Sequence, residues 1–284
     1  MSRGYITIAQ NSEGIDYLEM SYALALSLKA SQENSNLCVC IDEETKKLIT
    51  DKHRDVFDAI VDIPWNDDAK GNKWKINNKW KYPHMTPYDE TIILDSDMIF
   101  TDSVDHWWDY LSKKDVWCCT NVKTFRNEDV TSDYYRKKFT QLNLPNIYSN
   151  FTYFKKSELT FEFFKMVELI MVHWNVYFDK FLSGVGQNWM SADVAYALAI
   201  QLLDIEAETC DYDIKDVPTF VHMKSMVQNI PENQIDSNWT KSITSELGDD
   251  LQVKIGNFTQ TFPLHYVEKD WMDSSKIAQL ERAQ

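Results

Sequence analysis

The chain has 284 residues, of which 44% are hydrophobic, so it is long enough for one large α/β domain with a substantial buried core. Its formal net charge of −15 argues against a dedicated duplex-binding protein, which normally presents a basic face to phosphates. The five cysteines are odd in number and form no C-x-x-C motif, which indicates reduced, buried thiols in a cytosolic protein.

The first part of the chain alternates segments that are typical of strands and of helices. Residues 5–9 (YITIA) and 36–41 (NLCVCI) are apolar runs that predict buried strands, and residues 59–63 predict a third, shorter strand. Between them, apolar residues at helical spacing predict a helix over residues 15–30, and residues 43–48 begin another helix. This order predicts a parallel sheet with helices on both faces.

The middle of the chain contains its clearest strand, residues 90–100 (ETIILDSDMIF). The segment before it is polar and rich in Trp, Lys and Asn, and we expect a helix over residues 76–82. A helix over residues 104–111 and a strand over residues 116–120 follow.

The second half is less regular in its pattern. An extended segment is expected over residues 150–154, and loops with short strands are expected from residue 218 onwards, where prolines interrupt the chain. Helices are predicted over residues 134–141, 160–182 and 192–203.

The chain shows no internal repeat and no low-complexity linker. We therefore expect a core over residues 1–217 and a C-terminal extension over residues 218–284 that closes over the core. The first ten residues (MSRGYITIAQ) lack a signal-peptide pattern, and the longest apolar stretch, residues 166–172, is too short to span a bilayer. These features predict a cytoplasmic protein without a membrane partner.

Two aspartates, Asp95 and Asp97, follow the apolar run of the clearest strand as a D-x-D motif. At the carboxyl end of a buried strand, both side chains would point into the crevice where open α/β sheets bind ligands. Neighbouring anions repel each other there unless a cation lies between them. Because oxygen ligands select Mg²⁺ or Mn²⁺, the motif predicts a divalent-cation site that can bridge to a diphosphate. The alternative is a solvated turn, in which Asp and Ser are common.

With this motif placed after a β-α-β pattern, the sequence resembles the GT-A glycosyltransferases. In motif order it is nearest to glycosyltransferase family 8, and it looks similar to uncharacterised glycosyltransferase-like proteins of tailed bacteriophages. The resemblance implies a three-layer α/β/α sandwich with a mainly parallel central sheet. It also implies a metal-dependent enzyme that moves a sugar from a nucleotide-diphosphate sugar to an acceptor hydroxyl with retention of configuration. A UDP-sugar is the default donor.

The resemblance also implies which residues hold the donor nucleotide. The family's nucleotide-binding loop after the first strand corresponds to Ala9, Gln10 and Asn11, although the family usually has an acidic residue there. A basic residue that touches the donor corresponds to Lys79, and Lys81 is similar in position. A lysine on a polar helix is more often simply solvated.

Two further matches lie in the second half of the chain. Asn150 in SNFTYF corresponds to the extended segment that lines the donor sugar in the family, although the family's glycine is missing. Asp193 corresponds to the acidic residue that opens a helix and meets both donor sugar and acceptor, and is the implied catalytic carboxylate. Asp193 would also suit a purely structural role as a helix N-cap.

The segment HYVEKDW resembles the family's closing His, Lys and Trp residues, with a shorter spacer and with Asp270 where the family has Pro. The resemblance implies that His265 completes the metal shell and that Lys269 pairs with the diphosphate and stabilises it as it leaves. A neutral imidazole suits a site beside two carboxylates. The second candidate ligand is His222 in FVHMK.

Other functions stay open from the sequence. A haloacid-dehalogenase-type phosphohydrolase also places D-x-D after a strand, with the first Asp as nucleophile, and residues 248–250 (GDD) could supply its later acidic pair. Two observations argue against a phosphohydrolase of this type. Its D-x-D motif follows the first strand of the core fold, whereas three strand-like segments precede the motif here, and Ile99 stands where that type usually has Thr or Val. A non-catalytic nucleotide-sugar-binding protein and a nucleotidyltransferase are further alternatives, but QNSEG is a poor phosphate-gripping loop.

The acceptor cannot be read from the sequence. A modified DNA base, a glycan or a small molecule would each fit a phage-like transferase. The net charge weighs against DNA, while basic clusters at residues 70–81 and 135–138 weigh for it. A homodimer is left open.

Overall fold

The structure is a computed structural model that describes residues 1–130, 136–185, 189–212, 217–225, 239–248 and 250–284. In chain order, its strands are β1 (Arg3–Ala9), β2 (Leu37–Ile41), β3 (Ala59–Asp62), β4 (Glu90–Leu94), β5 (Met98–Ile99), β6 (Val116–Cys119), β7 (Val122–Lys123), β8 (Tyr148–Lys155), β9 (Phe220–His222), β10 (Ser245–Leu247), β11 (Val253–Ile255), β12 (Phe258–Thr259) and β13 (Leu264–His265).

The helices alternate with these strands through most of the chain. They are α1 (Tyr17–Ser31), α2 (Glu43–Lys46), α3 (Asp51–Val56), α4 (Tyr82–Met85), α5 (Trp107–Leu111), α6 (Lys137–Leu142), α7 (Glu158–Val172), α8 (Trp174–Tyr177), α9 (Ala192–Leu203), α10 (Glu206–Thr209) and α11 (Ser274–Arg282). Among the described residues, no helix is both long and apolar enough to cross a membrane.

The central sheet has the strand order β3-β2-β1-β4-β8-β6. Strands β1 to β4 are mutually parallel, whereas β8 runs antiparallel to both of its neighbours, β4 and β6. Strands β2 and β4 are buried at every position, as expected for strands covered on both faces. The carboxyl ends of β1 to β4 therefore lie at one edge of the sheet, where the D-x-D motif emerges.

Helices cover both faces of this sheet and create two separate apolar cores. Tyr5 and Ile92 pack on one face with apolar side chains from α1 and α5. Ile6 and Ile93, which are the next residues along paired strands, pack on the other face with α7 and α9. The three-layer α/β/α architecture with a mainly parallel sheet, expected from the sequence, is therefore confirmed.

A second sheet, of order β5-β13-β9-β7, lies beside the D-x-D turn. Strand β5 follows the motif directly and pairs antiparallel with β13, so that Met98 lies opposite His265. Strand β13 in turn pairs parallel with β9. Because β9 and β13 come after residue 217, the later part of the chain reaches the carboxyl edge of the central sheet. The predicted domain division itself stays a prediction.

Several predicted elements need correction. The strand predicted over residues 90–100 is two strands, because the chain turns at residues 95–97 and Met98 pairs with β13 instead of continuing along β8. The helix predicted over residues 160–182 is interrupted at His173, whose dihedral angles (φ −108°, ψ 34°) are not helical, and it continues as α8 and a π-helical turn, Phe178–Leu182. The helix predicted over residues 76–82 is a 3₁₀ turn, Lys79–Lys81, followed by α4. Residues 134 and 135 of the predicted 134–141 helix, and residue 135 of the 135–138 basic cluster, lie outside the described residues.

Candidate functional site

The D-x-D turn is held in place by two backbone hydrogen bonds. The Asp95 amide donates to the carbonyl of Asn150 on β8, and the Tyr266 amide donates to the carbonyl of Asp97. The turn is therefore fixed between the central sheet and the end of β13. Asp97 is buried, with 2% of its surface exposed, whereas Asp95 keeps about a quarter of its side chain accessible at 24%.

This arrangement brings together three side chains that could hold a metal ion. Ligand atoms of Asp95, Asp97 and His265 all lie within 4.8 Å of one another, and this is the only such group of three among the described residues. His265 Nε2 lies 3.0 Å from Asp97 Oδ2. Two carboxylates and one imidazole form a donor set suited to a divalent cation such as Mn²⁺ or Mg²⁺.

Asn150 contacts His265, the third member of this group. Its side-chain amide lies 2.8 Å from Nδ1 of His265, so it contacts the ring nitrogen that faces away from Asp97. The contacting atom is the amide nitrogen Nδ2, which in this orientation donates to Nδ1. A cation on Nε2 would place the ring proton on Nδ1, and the Asn150 amide would then have to turn over so that its oxygen accepts that proton. The structure thus places Asn150 behind the histidine, and its predicted contact with a donor sugar stays a prediction.

Each aspartate of the motif pairs with a lysine. Lys79 donates from Nζ to Oδ1 of Asp95 over 2.5 Å, and Lys269 donates to Oδ2 of Asp97 over 2.5 Å. Burial alone would raise the pKa of Asp97, but the charges and hydrogen bonds of His265 and Lys269 outweigh burial and hold the pKa well below its usual range. Burial alone would lower the pKa of Lys269, yet the charge of Asp97 raises it. Both partners are therefore ionised at neutral pH.

The group opens into a cavity of about 810 Å³. This is large enough for a small-molecule ligand. Its walls come from the end of β1, the start of α1, the segment before β4, the D-x-D turn and the end of β13. The charged residues in these walls are Glu13, Asp16, Glu19, Lys73, Lys75, Lys79, Asp95, Asp97, Lys224, Lys241, His265, Glu268, Lys269 and Asp270.

The predicted nucleotide loop lies behind this wall. Thr7 and Ile8 line the cavity, but Ala9 and Gln10 are completely buried. The Gln10 amide donates to Asp67 and accepts a 2.8 Å hydrogen bond from Asn78. A buried side chain with both amide groups satisfied supports its surroundings, and its predicted contact with a nucleotide stays a prediction.

Asn11 uses its side chain to begin helix α1. Its Oδ1 accepts from the Leu18 amide over 2.9 Å, and its Nδ2 donates to the N-cap residue Asp16. The backbone amide of Asn11 donates to Thr45 Oγ1. The side chain of Asn11 therefore has local partners, and its predicted role toward a nucleotide is likewise untested.

Asp193 stands at the start of α9 and is held by two neighbours. One carboxylate oxygen accepts from Arg136 Nη1 over 2.5 Å, and the other accepts from the amide and hydroxyl of Ser149. Burial would raise the pKa of Asp193, but Arg136 and Ser149 outweigh burial and lower it. Asp193 is not one of the described residues that line the cavity, and its catalytic role stays a prediction.

His222 lies beside His265 but outside the metal-ligating group. Their ring centroids are 5.1 Å apart, and His222 Nδ1 contacts the Ser225 hydroxyl over 3.0 Å. Burial, and then the neighbouring His265, lower the pKa of His222 well below its usual range, so its ring is neutral at neutral pH.

Sequence reasoning missed several residues in the cavity wall. The Lys269 ammonium lies 5.5 Å from the centre of the Tyr17 ring, and Lys224 pairs with Glu268 at 3.3 Å. Lys241 pairs with Asp270 at 3.1 Å. Tyr17 lies in the first helix, where nothing in the sequence marks it as a functional residue. The only sequence signal for Lys224 is its position two residues after the candidate ligand His222.

Comparisons with known proteins give structural likenesses only. No protein-family model and no curated protein matches the sequence. Solved structures with a similar fold include mouse xyloside xylosyltransferase 1, with 11% identity over 74% of this chain and 84% of that chain and a TM-score of 0.46. They also include the glycosyltransferase GlyE of Streptococcus pneumoniae, with 11% identity over 75% of this chain and 46% of that chain and a TM-score of 0.38. A third is 4-diphosphocytidyl-2C-methyl-D-erythritol synthase of Anaerococcus prevotii, with 11% identity over 82% and 92% of the chains and a TM-score of 0.40. At scores this low, any function for the chain has to rest on the site itself.

Proposed function

We propose that the protein is a metal-dependent glycosyltransferase that moves a sugar from a nucleotide-diphosphate sugar to an acceptor hydroxyl. One observation carries the proposal: Asp95, Asp97 and His265 converge within 4.8 Å at the carboxyl edge of a parallel sheet, on the wall of a large cavity. Crevices at that edge are where open α/β sheets bind ligands.

The residues present fit a divalent cation. The donor set combines two hard carboxylates with one imidazole, and Asn150 lies on the far ring nitrogen of His265 as a supporting partner. A bound cation would neutralise negative charge on a departing diphosphate. Asp95, with a partly accessible carboxylate, and buried Asp97 would be its anionic ligands, and His265 would be its neutral ligand.

The two lysines would supply positive charge to the diphosphate in addition to the cation. Lys79 holds its ammonium group against Asp95 and Lys269 holds its ammonium group against Asp97, so both charges are available to a diphosphate bound at this site. Preorganised positive charge stabilises negative charge that develops on a leaving group. Their present partners are carboxylates, so binding a diphosphate exchanges one anionic partner for another.

Finer details extend this proposal. From the resemblance to family 8 and to tailed-bacteriophage proteins, we propose a UDP-sugar donor, Mn²⁺ as the cation and retention of configuration. Asp193 is kept as the candidate that orients the acceptor. This role would require Asp193 to exchange its bond to Arg136 or Ser149 for one to the substrate.

A thermal-shift screen of nucleotide sugars with and without Mn²⁺ tests the proposal. A ligand at about 100 times its dissociation constant stabilises the folded state by about 2.7 kcal/mol, so a true donor raises the melting temperature. We expect the rise to need Mn²⁺, to be lost in Asp97→Asn and His265→Ala, and to persist in the control Asp109→Asn, which changes an exposed aspartate on α5. Release of nucleoside diphosphate in the presence of acceptors then measures turnover.

The same preparations separate the rival functions. Hydrolysis of an aryl phosphate that is abolished by Asp95→Asn, without nucleotide-sugar binding, would establish a phosphohydrolase instead. That alternative has less support, because β4 is the fourth strand in chain order and because Asp250 uses its carboxylate to accept from the Gln252 amide; Asp249 lies outside the described residues. Donor binding without turnover across acceptors would leave a non-catalytic binding protein.

A further inference from the structure

A second cavity, of about 890 Å³, lies on the helical layer between the segment after β3 and helix α7. It shares no lining residue with the cavity that holds the D-x-D motif. We call it the aromatic groove, after the side chains of Trp65, Trp80, His84 and Phe161 that line it. Nothing in the proposed transfer reaction uses it.

Trp65 is held in the groove at a double energetic cost. Its backbone has φ of +60°, a left-handed conformation that is a genuine outlier for a bulky side chain. The side chain is nevertheless 66% exposed, so most of a large apolar ring stays in water. Strained backbone at an exposed aromatic residue is an observation that points to binding rather than to folding.

Trp65 belongs to a cluster of rings that still leaves 66% of it exposed. Trp65 stacks on Trp80 at 5.6 Å with an interplanar angle of 7°. His84 meets the Trp65 ring edge-on at 5.0 Å, and Phe161, itself 43% exposed, lies 5.7 Å from His84. Because Trp80 is buried, the free face of Trp65 is the surface that a ligand would contact.

The charged groups of the groove are largely balanced. Lys81 pairs with Asp68 at 3.1 Å, and Lys165 pairs with Glu168 at 2.8 Å. Glu158 and Glu162 on α7 are both exposed, so their carboxylates face solvent. The groove therefore offers exposed hydrogen-bond acceptors beside a flat apolar ring.

This chemistry favours a neutral, polyhydroxylated ligand. An anionic ligand such as a nucleotide would face the carboxylates of Glu158 and Glu162. The Lys81 ammonium already lies 5.2 Å from the centre of the Trp80 ring, so Trp80 has a cation partner within the protein. The apolar C–H face of a pyranose ring can pack on the Trp65 ring, while its hydroxyls donate to the carboxylates.

We propose that the aromatic groove is a carbohydrate-binding site for a neutral glycan, separate from the D-x-D cavity. The 3₁₀ turn Lys79–Lys81 connects the two places, since Lys79 reaches Asp95 and its neighbour Trp80 lines the groove. A glycan in the groove would therefore contact the same 3₁₀ turn that carries Lys79 toward the D-x-D cavity. Glycan binding at the groove does not depend on the proposed transfer reaction.

Binding of neutral oligosaccharides tests this assignment. The probes are hexasaccharides of α-1,4-linked glucose, β-1,4-linked glucose, β-1,4-linked mannose and β-1,4-linked N-acetylglucosamine, measured at millimolar concentration by saturation-transfer NMR and isothermal titration calorimetry. We expect at least one to bind, and expect Trp65→Ala to weaken that binding about tenfold or more, because truncating an aromatic anchor removes its contact surface. Trp65→Tyr should retain part of the affinity.

Matched variants make the result decisive. Trp189→Ala removes another exposed tryptophan, 62% accessible and outside the groove, and should leave glycan binding unchanged. Asp97→Asn should also leave it unchanged, which separates this site from the proposed active site. Absence of binding by all four probes, equal binding by Trp65→Ala that melts like the unaltered protein, or preferential binding of tetramethylammonium would each overturn the assignment.

Discussion

Asp95 and Asp97 belong to one short motif, yet they experience different surroundings. Asp97 is almost completely buried and is held by His265 and Lys269, whereas Asp95 keeps an accessible edge and meets Lys79. A buried carboxylate with two partners is positioned before any ligand arrives, because moving it would leave a charge unpaired. In the proposed enzyme, Asp97 would anchor the site and Asp95 would face the substrate.

Arg136 and Asp193 form a second ion pair, between a buried guanidinium and a carboxylate whose side chain is 26% exposed. The Arg136 guanidinium lies between the rings of Phe139 and Tyr148, at 3.8 and 4.1 Å from their centres. Its side chain is 9% exposed. An arginine stacked in this way has little water to replace a lost carboxylate.

Asp193→Asn should therefore lower the free energy of unfolding by about 1–3 kcal/mol at neutral pH, because the buried Arg136 loses the charge that balances it. The folded-state pKa of Asp193 is lowered, so the stabilisation is fully present above the unfolded-state pKa of about 4 and is lost as pH falls through the folded-state pKa. Urea unfolding of both proteins between neutral and strongly acidic pH measures this. A difference in stability that persists unchanged at the lowest pH would contradict it.

At the scale of elements, the 3₁₀ turn Lys79–Lys81 depends on a buried polar network. Asn78 is completely buried and donates to Gln10 Oε1 over 2.8 Å and to Asp67 Oδ1 over 2.7 Å. Its Oδ1 accepts from the Asp68 amide and from Lys81. Every side-chain group of Asn78 is thus engaged, and the network ties the end of β1 to the turn that carries Lys79.

We expect Asn78→Ala to cost about 1–3 kcal/mol of stability, because the buried groups of Gln10 and Asp67 lose a partner. If the proposed function is correct, the displaced turn should also weaken nucleotide-diphosphate binding about tenfold or more, since small misplacements of a positioning group are costly. Calorimetric titration with the nucleoside diphosphate and Mn²⁺ measures the second effect. Asn77→Ala, at the neighbouring, less buried position, is the control, and equal affinity in the two variants would refute the positioning role.

The whole molecule is closed by contacts between distant parts of the chain. Helix α11 packs on α1, where Tyr22 donates to Glu281 over 3.0 Å and Gln284 donates to the Leu26 carbonyl. Leu280 is the buried residue of α11 and joins the core beneath α1. Strand β13, just before α11, carries His265. The last part of the chain therefore completes both a core and the candidate site.

Leu280→Ala should lower the free energy of unfolding by about 2–5 kcal/mol, because it deletes a buried side chain and leaves a cavity. Leu48→Ala, at a leucine that is 51% exposed, should change it by less than about 0.5 kcal/mol. Chemical denaturation of the two variants gives both values. Equal stability of the two variants would show that α11 does not contribute to the folded core.

The local sequence pattern was enough to predict much of the central sheet. The apolar runs of β1, β2 and β4 and the helix over residues 192–203 follow from periodicity alone, because burial on both faces leaves few polar residues in a strand. The same pattern misplaced the end of β4, since nothing local shows that Met98 leaves one sheet for another.

The Asp95–Asp97 motif and its place after a buried strand could be recognised in the sequence, since neighbouring residues alone define them. The approach of His265 to Asp97, 168 positions away, depends on β13 pairing with β5, and the engagement of Gln10 with Asn78 and of Asp193 with Arg136 depends on how whole layers pack. The aromatic groove likewise arises where the Trp65 loop meets α7. Periodicity reports which face of a segment is buried, but only the folded chain decides which distant side chain lies across from it.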